Sequence, residues 1–177
     1  MPSNRKARLL EVFAGVACFL ICLGASLAIL PLLPASAAAP QTAAAHSSSD
    51  PWTSSETVQP AELANDLKNG KESEKPVVVC VGFHTLYEGA HVSGAIFHGP
   101  ASTPAGLDDL KLWARSEPRS ANIVIYCGCC PLSHCPNIRP AFNALHSMGF
   151  THLRVLLLPQ DFASDWVAKG YAVEKGK

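Results

Sequence analysis

Ile123-Val-Ile-Tyr-Cys127-Gly-Cys-Cys130-Pro-Leu-Ser-His134-Cys135-Pro-Asn-Ile-Arg139-Pro140-Ala is the stretch from which the fold is read. A short, apolar, β-branched run ends on a cysteine. A polar loop rich in cysteine follows, and Pro140 opens a helical pattern. Strand, loop and helix in that order make half of a βαβ unit, and open parallel sheets bind ligands beyond the carboxyl ends of their strands. Proline suits the first helical turn because its missing N–H would have had no partner there. The positive end of that helix faces back across the loop toward Cys127. A thiol so placed is expected to have a lowered pKa and to be partly thiolate, the form that attacks sulfur and carbonyl centres. The plainer alternative is a buried cysteine that ends a strand, a common use of the residue. The loop and helix favour catalysis, with Cys127 as the catalytic residue.

Outward from this stretch the hydrophobic periods alternate. Gln59 to Gly70 reads as a helix, with Pro60 at its start, Glu62 in the first turn, Leu63 and Leu67 on one face and Gly70 stopping it. Val77 to Val81 is a continuous apolar run, expected of a strand covered on both faces. Leu107 to Ala114 predicts a short helix, with Leu107, Leu110 and Trp113 or Ala114 turned inward. Ala141, Leu145 and Met148 line one side of the helix after the cysteine loop, which Gly149 ends. Leu153 to Leu157 is a third apolar strand, and a last helix around Phe162 and Trp166 stops at Gly170. Strands alternating with helices at these spacings predict an α/β fold, a central and mainly parallel sheet with helices on both faces.

The chain has 177 residues, a net charge of zero and seven cysteines. No basic patch is present, so nucleic acid is not an expected partner. Arg5, Lys6 and Arg8 precede an apolar run from Leu9 to Leu33, and small-x-small sites follow at Ala35-Ser-Ala37 and Ala37-Ala-Ala39. Residues 1–37 are therefore read as a signal peptide or an N-terminal membrane anchor, the anchoring segment being residues 9–33. The expected location is exported, periplasmic or secreted, or held at the membrane by an uncleaved leader. Residues 38–56 have few large apolar side chains and read as a flexible linker, which leaves residues 57–177 as the folded domain.

At this point the chain resembles the rhodanese-like sulfurtransferase domain. His91-Val-Ser-Gly94-Ala95 is similar to the family's segment after its first long strand. Val124-Ile-Tyr-Cys127 resembles the strand that ends on the family's active-site cysteine. Gly149-Phe-Thr-His-Leu-Arg-Val, then Phe162, Trp166 and Gly170-Tyr-Ala-Val-Glu174, are similar to its C-terminal signature. The resemblance implies a three-layer rhodanese-like domain and a loop whose backbone N–H groups converge on the cysteine sulfur. It also implies a cycle in which Cys127 takes a sulfane sulfur from a small donor, such as thiosulfate or a persulfide, and passes it to cyanide or a thiol. No cofactor is expected. Three departures stand out. Cys80-Val81-Gly82 replaces the usual Asp-hydrophobic-Arg, eleven residues separate Cys127 from Arg139, and Pro159-Gln160 stands where a Gly-Gly pair is common.

The loop supplies the remaining candidates. Arg139, near the helix start, is positioned to contact an oxyanion donor, and Gly128, Cys129, Cys130, Ser133 and His134 complete the expected substrate-binding set. His91 is expected to order a turn. Cys129, Cys130 or Cys135 is expected to resolve an intermediate or to pair and staple the loop, as export would allow. A metal reading stays open beside it, with Cys127, Cys130, His134 and Cys135 as ligands to zinc or copper(I). Crowding the ligands into nine residues, two of them adjacent, speaks against the metal reading. Three functions follow: an exported sulfurtransferase; a periplasmic thiol module that binds a thiophilic metal or exchanges disulfides; and an inactive rhodanese fold that serves as a binding domain.

Overall fold

The computed structural model describes residues 50–176. The leader or anchor expected over residues 1–37 and the linker residues 38–49 lie outside the described residues. Among the described residues, no helix is long and apolar enough to cross a membrane.

The elements in chain order are β1 (Thr57–Val58), α1 (Pro60–Asn69), β2 (Val77–Cys80), α2 (His84–Gly89), β3 (His91–Val92), β4 (Ile96–Phe97), α3 (Pro104–Ala114), β5 (Asn122–Tyr126), α4 (Ile138–Ser147), β6 (His152–Leu156), α5 (Phe162–Asp165) and β7 (Val173–Glu174). The main sheet has the order β1-β6-β5-β2-β4, and every neighbouring pair in it is parallel. A β3-β7 antiparallel pair forms a small second sheet. The register of the two innermost strands runs from Val77 opposite Ile123 to Cys80 opposite Tyr126.

Alternation along these strands sends side chains to two cores. Val79, Val81, Ile123, Ile125, Leu153 and Val155 face Leu110 and Ala114 of α3 and Ile138, Ala141, Phe142 and Leu145 of α4. Val58, Val78, Cys80, Val124, Tyr126 and Leu156 face Leu63 of α1, Tyr87 of α2 and Trp166. The continuous apolar runs thus belong to strands covered on both faces, as expected, and the sheet carries helices on both sides.

Several boundaries differ from those expected. Helix α3 begins at Pro104 rather than Leu107, because Thr103 Oγ1 accepts from Gly106 N at 3.1 Å and caps it. Helix α4 begins at Ile138, so Pro140 is its third residue, still within the turn whose N–H groups have no intrahelical partner. The stretch from Phe162 to Gly170 divides into α5 and a separate 3-10 turn over Val167–Lys169.

The linker expectation fails over its last residues, since residues 50–56 are part of the fold. Trp52 is buried in the core and meets Phe142 edge-on at 5.5 Å between ring centroids. Asp50 pairs with Arg139, and Ser54–Glu56 form a 3-10 turn capped reciprocally by Thr53 and Glu56. One large aromatic in a polar stretch is enough to anchor it.

His91 is buried between β3 and α2. Its ring stacks on Tyr87 at 3.8 Å, and its Nδ1 bonds Tyr87 O at 2.8 Å. Tyr87 in turn donates to Ala95 O at 2.6 Å, and Tyr126 Oη accepts from Val92 N at 3.2 Å. These contacts fix the turn after β2 and tie it to the end of β5.

Candidate active site

Cys127 follows β5 directly and continues its alternation, so its side chain shares the face of Ile123 and Ile125. It stands at the carboxyl end of the sheet beside the end of β2. Gly82, just past β2, abuts it so closely that an added Cβ would lie 3.1 Å from Cys127 Sγ. A side chain there would have to displace the sulfur, so glycine is the residue that fits the departure noted at this position.

Gly128 turns the chain with φ of +73°, in the left-handed region that glycine enters without strain. An added Cβ at Gly128 would sit 2.6 Å from Phe162 Cβ, while Gly128 O accepts from Phe162 N at 3.1 Å. Leu132 N donates to Leu158 O at 3.3 Å and holds the middle of the loop to the chain just past β6. The loop is therefore held at its start and middle, which brings its sulfurs together.

Cys127 Sγ lies 3.1 Å from Cys129 Sγ, and Cys129 Sγ lies 3.3 Å from Cys130 Sγ. The sulfurs of Cys127, Cys129 and Cys135 all fall within 4.8 Å of one another. All five cysteines of the described residues stand as free thiols. Asn137, fully buried ahead of α4, is the polar centre of the cluster. Its Nδ2 donates to Cys127 Sγ at 3.3 Å and reaches Cys129 Sγ at 3.9 Å, and its Oδ1 accepts from Ser102 N at 2.9 Å. Sequence reasoning missed Asn137. An asparagine at a helix start signals a cap, but this side chain turns instead to the thiols.

The electrostatics correct one expectation. The amide cup foreseen around Cys127 belongs to Cys135. There a hydrogen bond from the Cys127 thiol, together with the N–H groups of Asn137 and Ile138 at the start of α4, outweighs burial and lowers the thiol to about 6. Cys127 moves the opposite way. As hydrogen-bond donor to Cys135, and buried as well, its thiol is raised well above the ordinary range, while the N–H of Cys129 opposes the shift. Burial and the neighbouring thiols raise Cys130 too. The helix terminus thus acts on the cysteine nearest it along the chain rather than on the one across the loop.

A cavity of about 390 Å³ opens beside the cluster. Cys80, Tyr126, Cys127, Gly128, Cys129 and Phe162 are among the residues lining it. Of the expected substrate-binding residues, Gly128 and Cys129 line this space, and Cys130, Ser133, His134 and Arg139 are not among its lining. Arg139 instead donates to Leu132 O and Cys135 O, both at 3.3 Å, pairs with Asp50 and lies over the Trp52 ring. It staples the loop to residues 50–52. Ser133 Oγ and His134 Nδ1 bond each other at 2.9 Å on the exposed side. In the metal set, Cys129 takes the place expected for Cys130, and His134 is not part of the group. A larger groove of about 890 Å³ lies between α1 and the Trp166–Tyr171 region, with no cysteine in its lining.

The architecture defines a class. The chain has the fold of rhodanese-like domains, as comparison with solved structures shows. It matches the solution structure of the rhodanese-like domain of the Alr3790 protein from Anabaena sp. with a TM-score of 0.51 at 22% identity, over 68% of this chain and 79% of that one. A crystal structure of Alr3790 gives 0.52 at 22% identity, over 67% and 82%. The BH2092 protein from Bacillus halodurans gives 0.51 at 21% identity, over 68% and 77%. No family model matches the sequence, and no curated protein matches it.

Proposed function

We propose that the chain is an exported sulfurtransferase that carries sulfane sulfur as a persulfide on Cys127. The observation that supports this most is the position of the Cys127 sulfur, which ends the central strand, lines the cavity and stands 3.1 Å from a second thiol. Cys135, whose sulfur lies within 4.8 Å, is the general base: it takes the Cys127 proton as the Cys127 sulfur bonds to the sulfane sulfur of the donor, so no free Cys127 thiolate has to form first. A new S–S bond forms as the donor's own bond to that sulfur breaks, and the leaving group departs with the electron pair. An acceptor thiolate, or cyanide, then attacks the outer sulfur, and Cys127 leaves as a thiolate. Cys129 is the resolving thiol. If it attacks the inner sulfur, hydrosulfide leaves and a Cys127–Cys129 disulfide remains.

No lysine, arginine or histidine is among the residues lining the cavity, and Arg139 is held elsewhere by Asp50. An anionic donor, thiosulfate included, therefore meets no cationic side chain in the cavity, and backbone N–H groups are its remaining partners. Export rests on the leader pattern of residues 1–37.

The test is incubation of the reduced protein with polysulfide, followed by peptide mass spectrometry. A gain of about 32 Da, one sulfur atom, is expected on the peptide that carries Cys127. Transfer to a thiol acceptor should fall by about two orders of magnitude or more in Cys127→Ser, since the nucleophile itself is lost. Equal rates in wild type and Cys127→Ser would instead identify a binding domain.

A further inference from the structure

We propose that Cys127, Cys129 and Cys135 form a three-thiolate site for one soft d10 cation, copper(I), where the cysteine loop meets the start of α4. This goes beyond sulfur transfer and does not depend on it.

The geometry is that of a ligand set. Three separate backbone positions, the end of β5, the loop and the approach to α4, bring three sulfurs within 4.8 Å of one another. Metal–sulfur bonds of ~2.3 Å place three sulfurs around one ion ~4 Å apart, inside that limit. Cys127 and Cys135 are buried, and Cys129 is partly open, which leaves a path for entry.

N–H donors face the sulfurs. Three thiolates around a monovalent ion leave two negative charges, and N–H donors are in place to spread them. Asn137 Nδ2 donates to Cys127 Sγ at 3.3 Å and reaches Cys129 Sγ at 3.9 Å, while backbone N–H groups serve Cys127 and Cys135. Outer contacts of this kind orient metal ligands and tune their strength.

The number of ligands selects the ion. Soft thiolates choose copper(I) or zinc; zinc held by three protein ligands keeps a fourth position for water, whereas copper(I) is satisfied by the soft sulfurs alone. Cys130 lies 3.3 Å from Cys129 Sγ but is not in the mutually close set, and His134 is turned to Ser133. Three ligands suit copper(I).

The experiment is an anaerobic titration of the reduced full chain with copper(I) in the presence of a chromogenic copper(I) chelator, with native mass spectrometry for stoichiometry. The expected result is one copper per chain, retained against the chelator, with three Cu–S contacts in X-ray absorption. Cys129→Ser, at a partly exposed position, and Cys135→Ser should each weaken binding by about 100-fold or more. Cys130→Ser should change it by less than about threefold. Asn137→Asp keeps the acceptor for Ser102 but loses the N–H donor, and should weaken binding by about tenfold. Melting curves on each variant separate loss of the site from loss of the fold. Failure to retain copper in a folded wild type, a Cys130→Ser loss equal to that of Cys129→Ser, or preferential uptake of zinc by four sulfurs would overturn the proposal. Copper binding without persulfidation would sink the sulfurtransferase and leave this site standing; the reverse result would do the opposite.

Discussion

At the scale of single residues, the site is decided by who donates to whom among a few polar atoms. Asn137 is the clearest case. Its amide serves a backbone N–H at Ser102 on one side and two sulfurs on the other. Replacing the fully buried Asn137 with alanine removes its bond from Ser102 N and its donor to the sulfurs, and should cost roughly 1 kcal/mol in a denaturant melt. Sulfur transfer should fall in the same variant by more than the stability change explains, because the sulfurs lose their donor. Cys80 gives a pH prediction. Burial raises its thiol from 9.0 to about 11, and burial raises the adjoining Tyr126 hydroxyl as well. Both groups are neutral in the fold and ionise more readily in the unfolded chain. The folded state therefore holds the extra protons at high pH, and stability falls as pH rises from 9 toward 11. Cys80 alone accounts for roughly 3 kcal/mol of this loss at the upper end. Thermal melts at pH 8 and 11 should show the drop, and Cys80→Val should lessen it; a flat profile would contradict the burial of these groups.

At the scale of elements, the connection from β5 to α4 carries the cysteine cluster, and its shape depends on one positive φ. Gly128→Ala should be strained by both the φ of +73° and the 2.6 Å approach to Phe162. A loss of about 1–3 kcal/mol and a larger loss of sulfur transfer are expected, read by melting and by the persulfide assay. Helix α4 had a legible apolar face. Its start was less legible, because Pro140 is the stronger local signal and the residues before it are positioned by tertiary contacts. The short elements between Phe83 and Phe97 carried little period to read. Two-residue strands such as β3 and β4 are set by their neighbours, here Glu174, Val173 and the end of β2.

At the scale of the whole molecule, residues 50–56 close the structure. Trp52 is buried against Phe142, and Asp50 holds the arginine that binds two loop carbonyls. A chain that begins at Thr57 should therefore melt well below one that begins at Asp50, since losing a buried tryptophan costs roughly 3–5 kcal/mol. Its cysteine loop should also exchange amide hydrogens faster. Equal stability and equal loop protection in the two chains would show that the segment adds nothing to the domain.

What the sequence determined by itself was the class of fold and the position of Cys127 at the end of a central strand. Short, β-branched apolar runs between turn residues are those of strands covered on both faces, and in a parallel sheet a cysteine after such a run stands at the carboxyl edge. Val77 to Cys80 and Asn122 to Tyr126 behave in this way. Tertiary structure alone decided which thiol the helix terminus serves, that Arg139 turns to Asp50 rather than to the cavity, and that Asn137 joins the sulfurs instead of capping α4. Periodicity reports which face of an element is buried. Hydrogen-bond direction between loop residues depends on distances of a few ångströms, which are set only when the sheet, the helices and residues 50–56 have closed around them.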